Sequence, residues 1–178
     1  MPELSVRPAR LDDLRECVGF DASYTTDYVW QMDAQMSISQ MQVTFSHVRL
    51  PRSMRVEYPR TAEMLAADWP LRDGVLIVEH DEHTLGYVTL TEHAQRVAHI
   101  GDLIVRRRYR RAGIGSQLVA AALRWARERS LKQLIVEVQT KNHPAIEFLN
   151  KLGFSFCGFN DQHYLNQDIA LFFSRAVR

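Results

Sequence analysis

Two glycines and a group of arginines between residues 106 and 116 form the segment whose residue types best suit phosphate chemistry. An apolar strand pattern over 100–105 is followed by a basic stretch, and a helical pattern begins at Gly113 and Gly115. Because glycine has no side chain, the backbone N–H groups at such a helix start can face a phosphate, whose charge the helix dipole favours. Arg110 and Arg111 add positive charge beside them. A glycine-containing turn with solvated arginines explains this segment, taken alone, equally well.

Two other phosphate-binding patterns do not fit this segment. A P-loop requires Gly-Lys followed by Ser or Thr, whereas this loop continues as Gly115-Ser116-Gln117. A dinucleotide-binding fingerprint requires a third glycine three residues after the second, and that position is Leu118.

A second block, at a suitable distance from the first, connects the sequence to a known family. Residues Arg110–Gly115 resemble the signature of the GNAT superfamily of acetyltransferases: glutamine or arginine, two residues, glycine, one residue, then glycine or alanine. Residues Asn142–Phe154 resemble its later motif, which runs from asparagine through alanine to a helix ending in Gly-Phe. The resemblance covers residues 4–20 loosely and 75–159 well. A weaker likeness to streptothricin-type acetyltransferases lies in the segments SYTTD, VEVQTKNHPAIEFLNKLGF and CGFNDQHY.

The resemblance implies a fold, a co-substrate and a set of binding residues. The implied fold is α/β, with a mixed, mostly antiparallel sheet and helices on both faces. The implied co-substrate is acetyl-CoA, whose pyrophosphate is held by the loop amides and whose pantetheine arm pairs with the preceding strand. By this resemblance the cofactor-binding residues are Leu103, Ile104, Val105, Arg110, Arg111, Ala112, Gly113, Ile114, Gly115, Ser116 and Asn142.

Two of these residues carry more specific expectations. We expect a backbone N–H near Val105 to face the thioester carbonyl. Asn142 is expected to contact the pantetheine or the loop, to cap the helix that starts near Pro144, or to do both.

A GNAT-type reaction is a direct attack of an amine on a thioester, so it requires proton transfer but no nucleophilic cysteine. A lysine-like amine has a pKa of about 10.4, and only about one molecule in 10³ is neutral near pH 7. His99, Asp102 and Glu92, on or near one predicted strand, are the candidate bases. Each is also explained as a surface or packing residue. Glu137 is expected to hold backbone groups rather than to do chemistry.

The family's usual general acid is missing from this sequence. In many GNAT enzymes a tyrosine in the later motif protonates the departing CoA thiolate, and that position here is Leu149. We predict that Tyr164 takes this role, with packing under the last hairpin as the alternative. A thiol with a pKa of about 8.5 is a tolerable leaving group, so turnover without a general acid is also compatible with the sequence.

Aromatic and acidic residues cluster between residues 21 and 35, where the family places its acceptor. Such residues suit a cationic amine through cation–π contacts and charge pairing. Taken singly, each is explained equally well as a core aromatic or a solvated acid. The predicted substrate-binding residues are Tyr24, Asp27, Tyr28, Trp30 and Asp33, and Asn160, Asp161, His163 and Tyr164 are expected near them.

We therefore predict an N-acetyltransferase that moves an acetyl group from acetyl-CoA to a primary amine, with a small cationic acceptor. Acetylation of a protein N-terminus or lysine is one alternative. A CoA-binding module without catalysis is another, because Leu149 replaces the usual tyrosine. Nucleic-acid binding by the arginines at 106–111 is disfavoured, because the charge is confined to one loop and the net charge is only +1.

The elements that position these residues follow from periodicity and turn residues. We predict a helix near 11–18, a short helix or ordered loop over 21–35, and helices at 62–67, 113–129 and 144–152, the last closed by Gly153. The predicted strands are 4–6, 41–50, 75–78, 85–90, 98–105, 134–138, 154–158 and 169–173. Strands that first meander and then alternate with helices indicate a mixed sheet with helices on both faces.

Composition bounds the remaining possibilities. A length of 178 residues, 46% of them hydrophobic, fits one acetyltransferase domain over 1–178. The charges nearly balance, so no nucleic-acid or membrane partner is expected. Cys17 and Cys157 form no metal-ligand pattern and are predicted to be packing residues, and no metal site is predicted. The absence of an apolar signal core favours a cytoplasmic location. A homodimer remains open.

Overall fold

The computed structural model describes residues 4–178. Its nine strands, β1–β9, are Ser5–Pro8, Tyr24–Met36, Met41–Val56, Gly74–His80, His83–His93, Val97–Val105, Gln133–Gln139, Ser155–Asn160 and Ala170–Ala176. Its four α-helices, α1–α4, are Asp13–Cys17, Ala62–Asp68, Ile114–Glu128 and His143–Lys151. Short 3₁₀ turns lie at Trp69–Leu71, Ala94–Arg96 and Arg107–Tyr109.

Seven strands form one sheet in the order β1-β4-β5-β6-β7-β9-β8. Strands β6 and β7 run parallel, whereas the other neighbouring strands of this sheet run antiparallel. The crossover between β6 and β7 contains α3, as a parallel connection requires. The predicted fold class, a mixed and mostly antiparallel sheet with helices, is confirmed.

Each face of the sheet carries its own apolar core. Helices α3 and α4 cover one face, where Leu118 and Ile146 pack among the core residues. Helices α1 and α2 cover the other face, where Cys17, Leu65 and Tyr87 pack together. The functional residues described below lie where the sheet opens between these two layers.

Strands β2 and β3 form a separate two-stranded hairpin. The expectation of a helix or loop over 21–35 is therefore wrong. From Tyr24 to Asp27 buried and exposed residues alternate, which is the period of a strand. Strand β3 also extends past Pro51, because a bulge opposite Asp27 leaves residues 50–53 without ladder partners. Proline is tolerated at such positions because it has no N–H to contribute.

The hairpin is attached to the rest of the molecule at two places. The Trp30 N–H donates to the carbonyl of Thr140, just after β7, at 2.9 Å. Phe45 of β3 packs edge-on against Phe156 and Phe159 of β8, with ring centroids 5.8 and 5.3 Å apart. The hairpin thus lies against the β7–β9–β8 half of the sheet.

The two cysteines have different environments. Cys17 is buried in the core, as predicted, whereas Cys157 on β8 is exposed, so the packing role expected for Cys157 is wrong. Within residues 4–178 no helix is long and apolar enough to cross a membrane.

Candidate active site

The sheet divides at the parallel pair of strands. Strands β6 and β7 pair only as far as Ile100 and Val136. Beyond that point β6 continues along β5, whereas β7 continues along β9. A bulge at Gly101, which leaves Thr89 opposite Asp102 and Leu90 opposite Ile100, lies where the divergence starts. The backbone groups on the facing edges of both strands are consequently available to a ligand.

Two clefts meet at this division. The α4-side cleft is small, about 70 Å³, and is lined by residues that include Leu103, Asn142, Phe148 and Leu149. The α2-side cleft, about 290 Å³, is lined by residues that include Met64, Asp68, His99, His163 and Leu165. Both clefts share Pro59, Gly101, Glu137 and Tyr164. The two clefts therefore adjoin at these four residues.

The glycine loop has the geometry expected of a phosphate-binding helix start. Gly113 is the N-terminal cap of α3 in the left-handed conformation, with φ of 84°. A Cβ built at Gly113 would meet no protein atom within 4 Å. A Cβ built at Gly115 would lie 3.2 Å from the Phe148 ring. The first position therefore leaves open space beside the loop, and the second permits the close approach of α4.

Arg110 does not direct its charge into that space. Its guanidinium donates to the carbonyls of Val105 (3.0 Å), Ser23 (2.6 Å) and Asp21 (2.6 Å). Partial burial lowers its pKa, partly offset by Asp21. The expectation that Arg110 supplies free positive charge is therefore corrected: it fixes the end of β6 to the segment before β2. Arg111 is exposed, with φ of 67°.

The open edge of β6 offers two backbone donors, at Leu103, which lines the α4-side cleft, and at Val105. Arg106 donates its N–H to the Leu85 carbonyl at 2.8 Å, so this position faces β5. Because such positions alternate along an antiparallel ladder, Ile104 also faces β5, whereas Leu103 and Val105 direct their N–H groups toward the gap. This arrangement supports a donor near Val105 and adds Leu103.

Asn142 occupies the helix-capping position. Its side-chain oxygen accepts the Ala145 N–H at 3.2 Å at the start of α4, and the residue also lines the α4-side cleft. The other cofactor residues lie around the same loop, where Ile114 is buried in the core and Ala112 and Ser116 are exposed.

A buried leucine, Leu149, occupies the position where many family members have the tyrosine that acts as general acid. Leu149 is 1% exposed and packs in the α3/α4 core. Tyr164, in the turn between β8 and β9, lines both clefts. Burial raises the pKa of its phenol, and the neighbouring carboxylate of Glu137 raises it further. Tyr164 is therefore protonated around neutral pH, and its raised pKa also makes it a weaker acid than an ordinary tyrosine.

Asp102 belongs to a buried ion network. It accepts hydrogen bonds from Tyr58 (2.8 Å), Arg60 (3.1 Å) and Thr89 (2.9 Å). Its side chain is 1% exposed. Oxygens that already accept several donors are poorly placed to take a proton from an amine, so this geometry favours a positioning role. Glu92 is exposed and lies outside both clefts.

His99 lines the α2-side cleft. Burial, with smaller contributions from His93 and Arg72, lowers its pKa to about 4. The imidazole is thus neutral at pH 7. The lowered pKa makes His99 a weaker base than an ordinary imidazole.

Glu137 and His163 form the site's closest carboxylate–imidazole pair. Glu137 Oε2 lies 2.7 Å from His163 Nε2 and 3.6 Å from His99 Nε2. Glu137 thus interacts with side chains, and the expectation that it holds backbone groups is wrong. Sequence reasoning missed the pair because its members are 26 residues apart. The available signal was a carboxylate within the apolar strand pattern of 134–138.

The predicted acceptor residues are divided among three places. Tyr24 donates to Gln139 Oε1 at 2.9 Å in a buried cluster that includes Asp168. Tyr28 and Trp30 pack on His47 and His143, and Trp30 Nε1 donates to His143 Nδ1 at 3.2 Å.

The two predicted acceptor carboxylates lie on the surface of the hairpin. Asp27 and Asp33 are exposed, and neither lines either cleft at the strand division. Asp27 accepts a hydrogen bond from Ser53. The structure therefore does not bring these two carboxylates to the gap between β6 and β7.

Known proteins share both the sequence pattern and the fold. The model of the acetyltransferase (GNAT) family matches residues 42–154. Streptothricin acetyltransferase from Streptomyces lavendulae is 30% identical over 164 residues, which cover 89% of this chain and 85% of that protein. A crystal structure of nourseothricin acetyltransferase aligns with a TM-score of 0.84 at 23% identity and covers 98% of this chain and 99% of its own.

A third similarity includes a bound co-substrate. A putative streptothricin acetyltransferase from Bacillus anthracis, solved in complex with acetyl coenzyme A, aligns with a TM-score of 0.78 at 21% identity and covers 98% of this chain and 99% of its own. Together with the family match, these similarities confirm the predicted enzyme class and its acetyl-CoA co-substrate. The chain belongs to the GNAT acetyltransferase family and is an N-acetyltransferase.

Proposed function

We propose that this enzyme acetylates a primary amine on a small cationic molecule of the streptothricin type. The observation that carries the proposal is the meeting of two clefts at the division between β6 and β7, where they share Glu137 and Tyr164. Direct transfer requires the thioester and the amine to be in contact, and clefts that join from opposite faces of a sheet provide that contact.

The α4-side cleft is the proposed site of acetyl-CoA. The glycine loop at 113–115 would hold the pyrophosphate through backbone N–H groups at the start of α3. Leu103 and Val105 would pair with the pantetheine arm along the open edge of β6, next to Asn142. A donor on this edge would also stabilise the oxyanion that develops on the thioester carbonyl.

The α2-side cleft is the proposed site of the amine. It contains the buried carboxylate of Glu137 and the rings of His163 and Tyr164. A carboxylate and aromatic rings favour a cation, although Arg60 and Arg72 in the same cleft restrict where its charge can lie. We place Tyr164 as the donor to the departing thiolate, because it lines both clefts and retains its proton.

The streptothricin class is favoured by the relative rather than by the cleft alone. The 30% identity to streptothricin acetyltransferase extends across most of both chains. It therefore includes the hairpin as well as the two motifs at 110–115 and 142–154. A cytoplasmic location, a homodimer and the exclusion of nucleic-acid partners remain predictions.

Release of free CoA thiol from acetyl-CoA tests this proposal. Streptothricin, simple diamines, and peptides with a free N-terminal amine or a lysine should be compared as acceptors. We expect the largest kcat/KM for streptothricin. A peptide as the best acceptor would indicate a protein acetyltransferase instead, and no release above background with any amine would indicate a CoA-binding module without catalysis.

A further inference from the structure

Glu137 lies at the point where the sheet divides. Val136, the residue before it, makes the last pair with β6, and Glu137 itself pairs only with Phe172 of β9. Its side chain is 11% exposed. Glu137 also lines both the α4-side and the α2-side cleft. With the two substrates placed as proposed above, the acceptor would reach this carboxylate from one face and the acetyl donor would lie beside it on the other.

The His163 imidazole contacts this carboxylate and is itself partly exposed to solvent. His163 Nε2 lies 2.7 Å from Glu137 Oε2, and the His163 side chain is 28% exposed. The rings of Tyr164 and Phe172 pack edge-on against the His163 imidazole, with centroids 4.9 and 5.6 Å away. The imidazole is therefore held between the buried carboxylate and the surface.

We propose that Glu137 is the general base that removes a proton from the acceptor ammonium, and that His163 passes this proton to solvent. The proposal rests on the N-acetyltransferase function and on the amine lying in the α2-side cleft. It assigns the base role to a residue outside the three candidates that the sequence suggested.

The proton balance requires such an exit. The ammonium gives one proton to Glu137, and the neutral amine attacks the thioester carbonyl, forming the N–C bond. The C–S bond then breaks, and the departing thiolate gains a proton from Tyr164. The nitrogen loses its second proton, and this proton restores the Tyr164 hydroxyl. The net products are the amide, CoA thiol and one proton, which leaves through His163.

The groups around Glu137 act on its pKa in both directions. Burial raises its pKa, while His163 and Arg60 act in the opposite direction and Asp102 adds to the rise. His99, the other group on β6 that faces it, is neutral above a pKa of about 4 and contributes no positive charge at pH 7. Tyr164, next to His163, is also neutral. The carboxylate consequently keeps a higher proton affinity than a solvated glutamate, which improves a base.

The first test is the pH dependence of Glu137→Gln with the best amine acceptor. We expect kcat at pH 7 to fall by about 10²–10⁴-fold, the usual contribution of a general base, with little change in the KM for acetyl-CoA. The residual rate should rise about tenfold per pH unit toward the amine pKa of about 10.4, since hydroxide replaces the base. Glu128→Gln, an exposed change on α3, is the matched control.

A purely structural pair predicts a different result. Glu137→Gln and His163→Gln would then lower activity by the same factor at every pH, in parallel with a lower melting temperature. That outcome would overturn the proposal. Under the proposal, His163→Gln retains part of the activity, which added imidazole in the buffer increases by carrying the proton.

The second test needs no acceptor and separates this inference from the proposed function. The side-chain carboxyl of Glu137 in the ligand-free enzyme is titrated by carbon NMR, with Glu137→Gln identifying the signal. A midpoint above the ordinary value of about 4.3 is expected. A midpoint at or below that value would overturn the inference, whereas a wild type that is inactive with all amines would overturn only the proposed function.

Discussion

The leucine at position 149 removes the general acid that many family members have there, and Tyr164 is the residue that we propose in its place. Leu149, at the usual tyrosine position, is almost fully buried in the α3/α4 core and offers no proton. Tyr164 reaches the same cleft from the turn between β8 and β9. Burial and the nearby Glu137 carboxylate keep its phenol protonated by raising its pKa. A carboxyl group, Glu137, and a protonated phenol, Tyr164, therefore border the same gap.

Replacing Tyr164 by Phe tests the acid at this scale. The change removes only the hydroxyl, so the ring packing against His163 remains. We expect kcat to fall by about 10²–10⁴-fold, while the KM for acetyl-CoA stays nearly constant. Steady-state kinetics across the pH range provides the measurement. A Tyr164→Phe enzyme with full activity would show that the thiolate leaves without this donor.

Sequence reasoning was most successful where function depends on the backbone. The spacing of Gly113 and Gly115 predicts a helix start that exposes N–H groups, and Gly113 adopts the left-handed conformation that such a loop requires. It was least successful where function depends on side chains distant in sequence. Asp102 reads as a candidate base until Tyr58 and Arg60 are seen to donate to it, and Glu137 reads as an isolated carboxylate until His163 is seen beside it.

At the scale of elements, the segment between β3 and α2 is fixed to the sheet by Asp102. Tyr58 and Arg60 of this segment donate to the carboxylate, and Arg60 also pairs with Asp68 of α2. Tyr58 and Pro59 line the α4-side cleft, and Pro59 and Arg60 line the α2-side cleft. The network thus positions the wall that both clefts share.

Asp102→Asn tests this positioning role. The change leaves the Arg60 guanidinium, whose side chain is 11% exposed, without its buried carboxylate. Breaking a buried pair costs about 3–5 kcal/mol. For a chain of this length, 3 kcal/mol lowers the melting temperature by roughly 6–12 °C. Calorimetric unfolding measures it, with exposed Asp12→Asn as the control. An unchanged melting temperature together with a large loss of kcat would instead indicate that Asp102 acts in catalysis.

The hairpin shows why element prediction failed at one place. Buried and exposed residues alternate only from Tyr24 to Asp27, which is too short a stretch to indicate a 13-residue strand, and Pro51 suggested that β3 should end early. Strand β3 continues because the bulge around residues 50–53 removes the need for a ladder N–H at Pro51. The pairing of β2 with β3 along their length, which the local sequence does not encode, determines that residues 24–36 form a strand.

At the scale of the whole molecule, the sheet separates two helical layers, and the gap between β6 and β7 is where the clefts of the two layers adjoin. The α3/α4 layer carries the glycine loop and the α4-side cleft, while the α1/α2 layer carries the α2-side cleft. Because acetyl-CoA would contact the loop, β6 and α4 together, its binding should stabilise the whole fold. At 100 times its dissociation constant a ligand adds about 2.7 kcal/mol, which raises the melting temperature of a chain of this length by roughly 5–10 °C.

Thermal unfolding with and without acetyl-CoA, for the wild type, Gly113→Ala and Gly153→Ala, tests the co-substrate site most directly. Both glycines have positive φ, 84° and 78°, and open space around an added Cβ, so both variants carry a similar backbone strain of about 1–2 kcal/mol. Only the Cβ at Gly113 enters the space proposed for the phosphate. We predict a shift of roughly 5–10 °C for the wild type and Gly153→Ala and little or none for Gly113→Ala. Equal shifts in all three proteins would contradict the placement of acetyl-CoA on this loop.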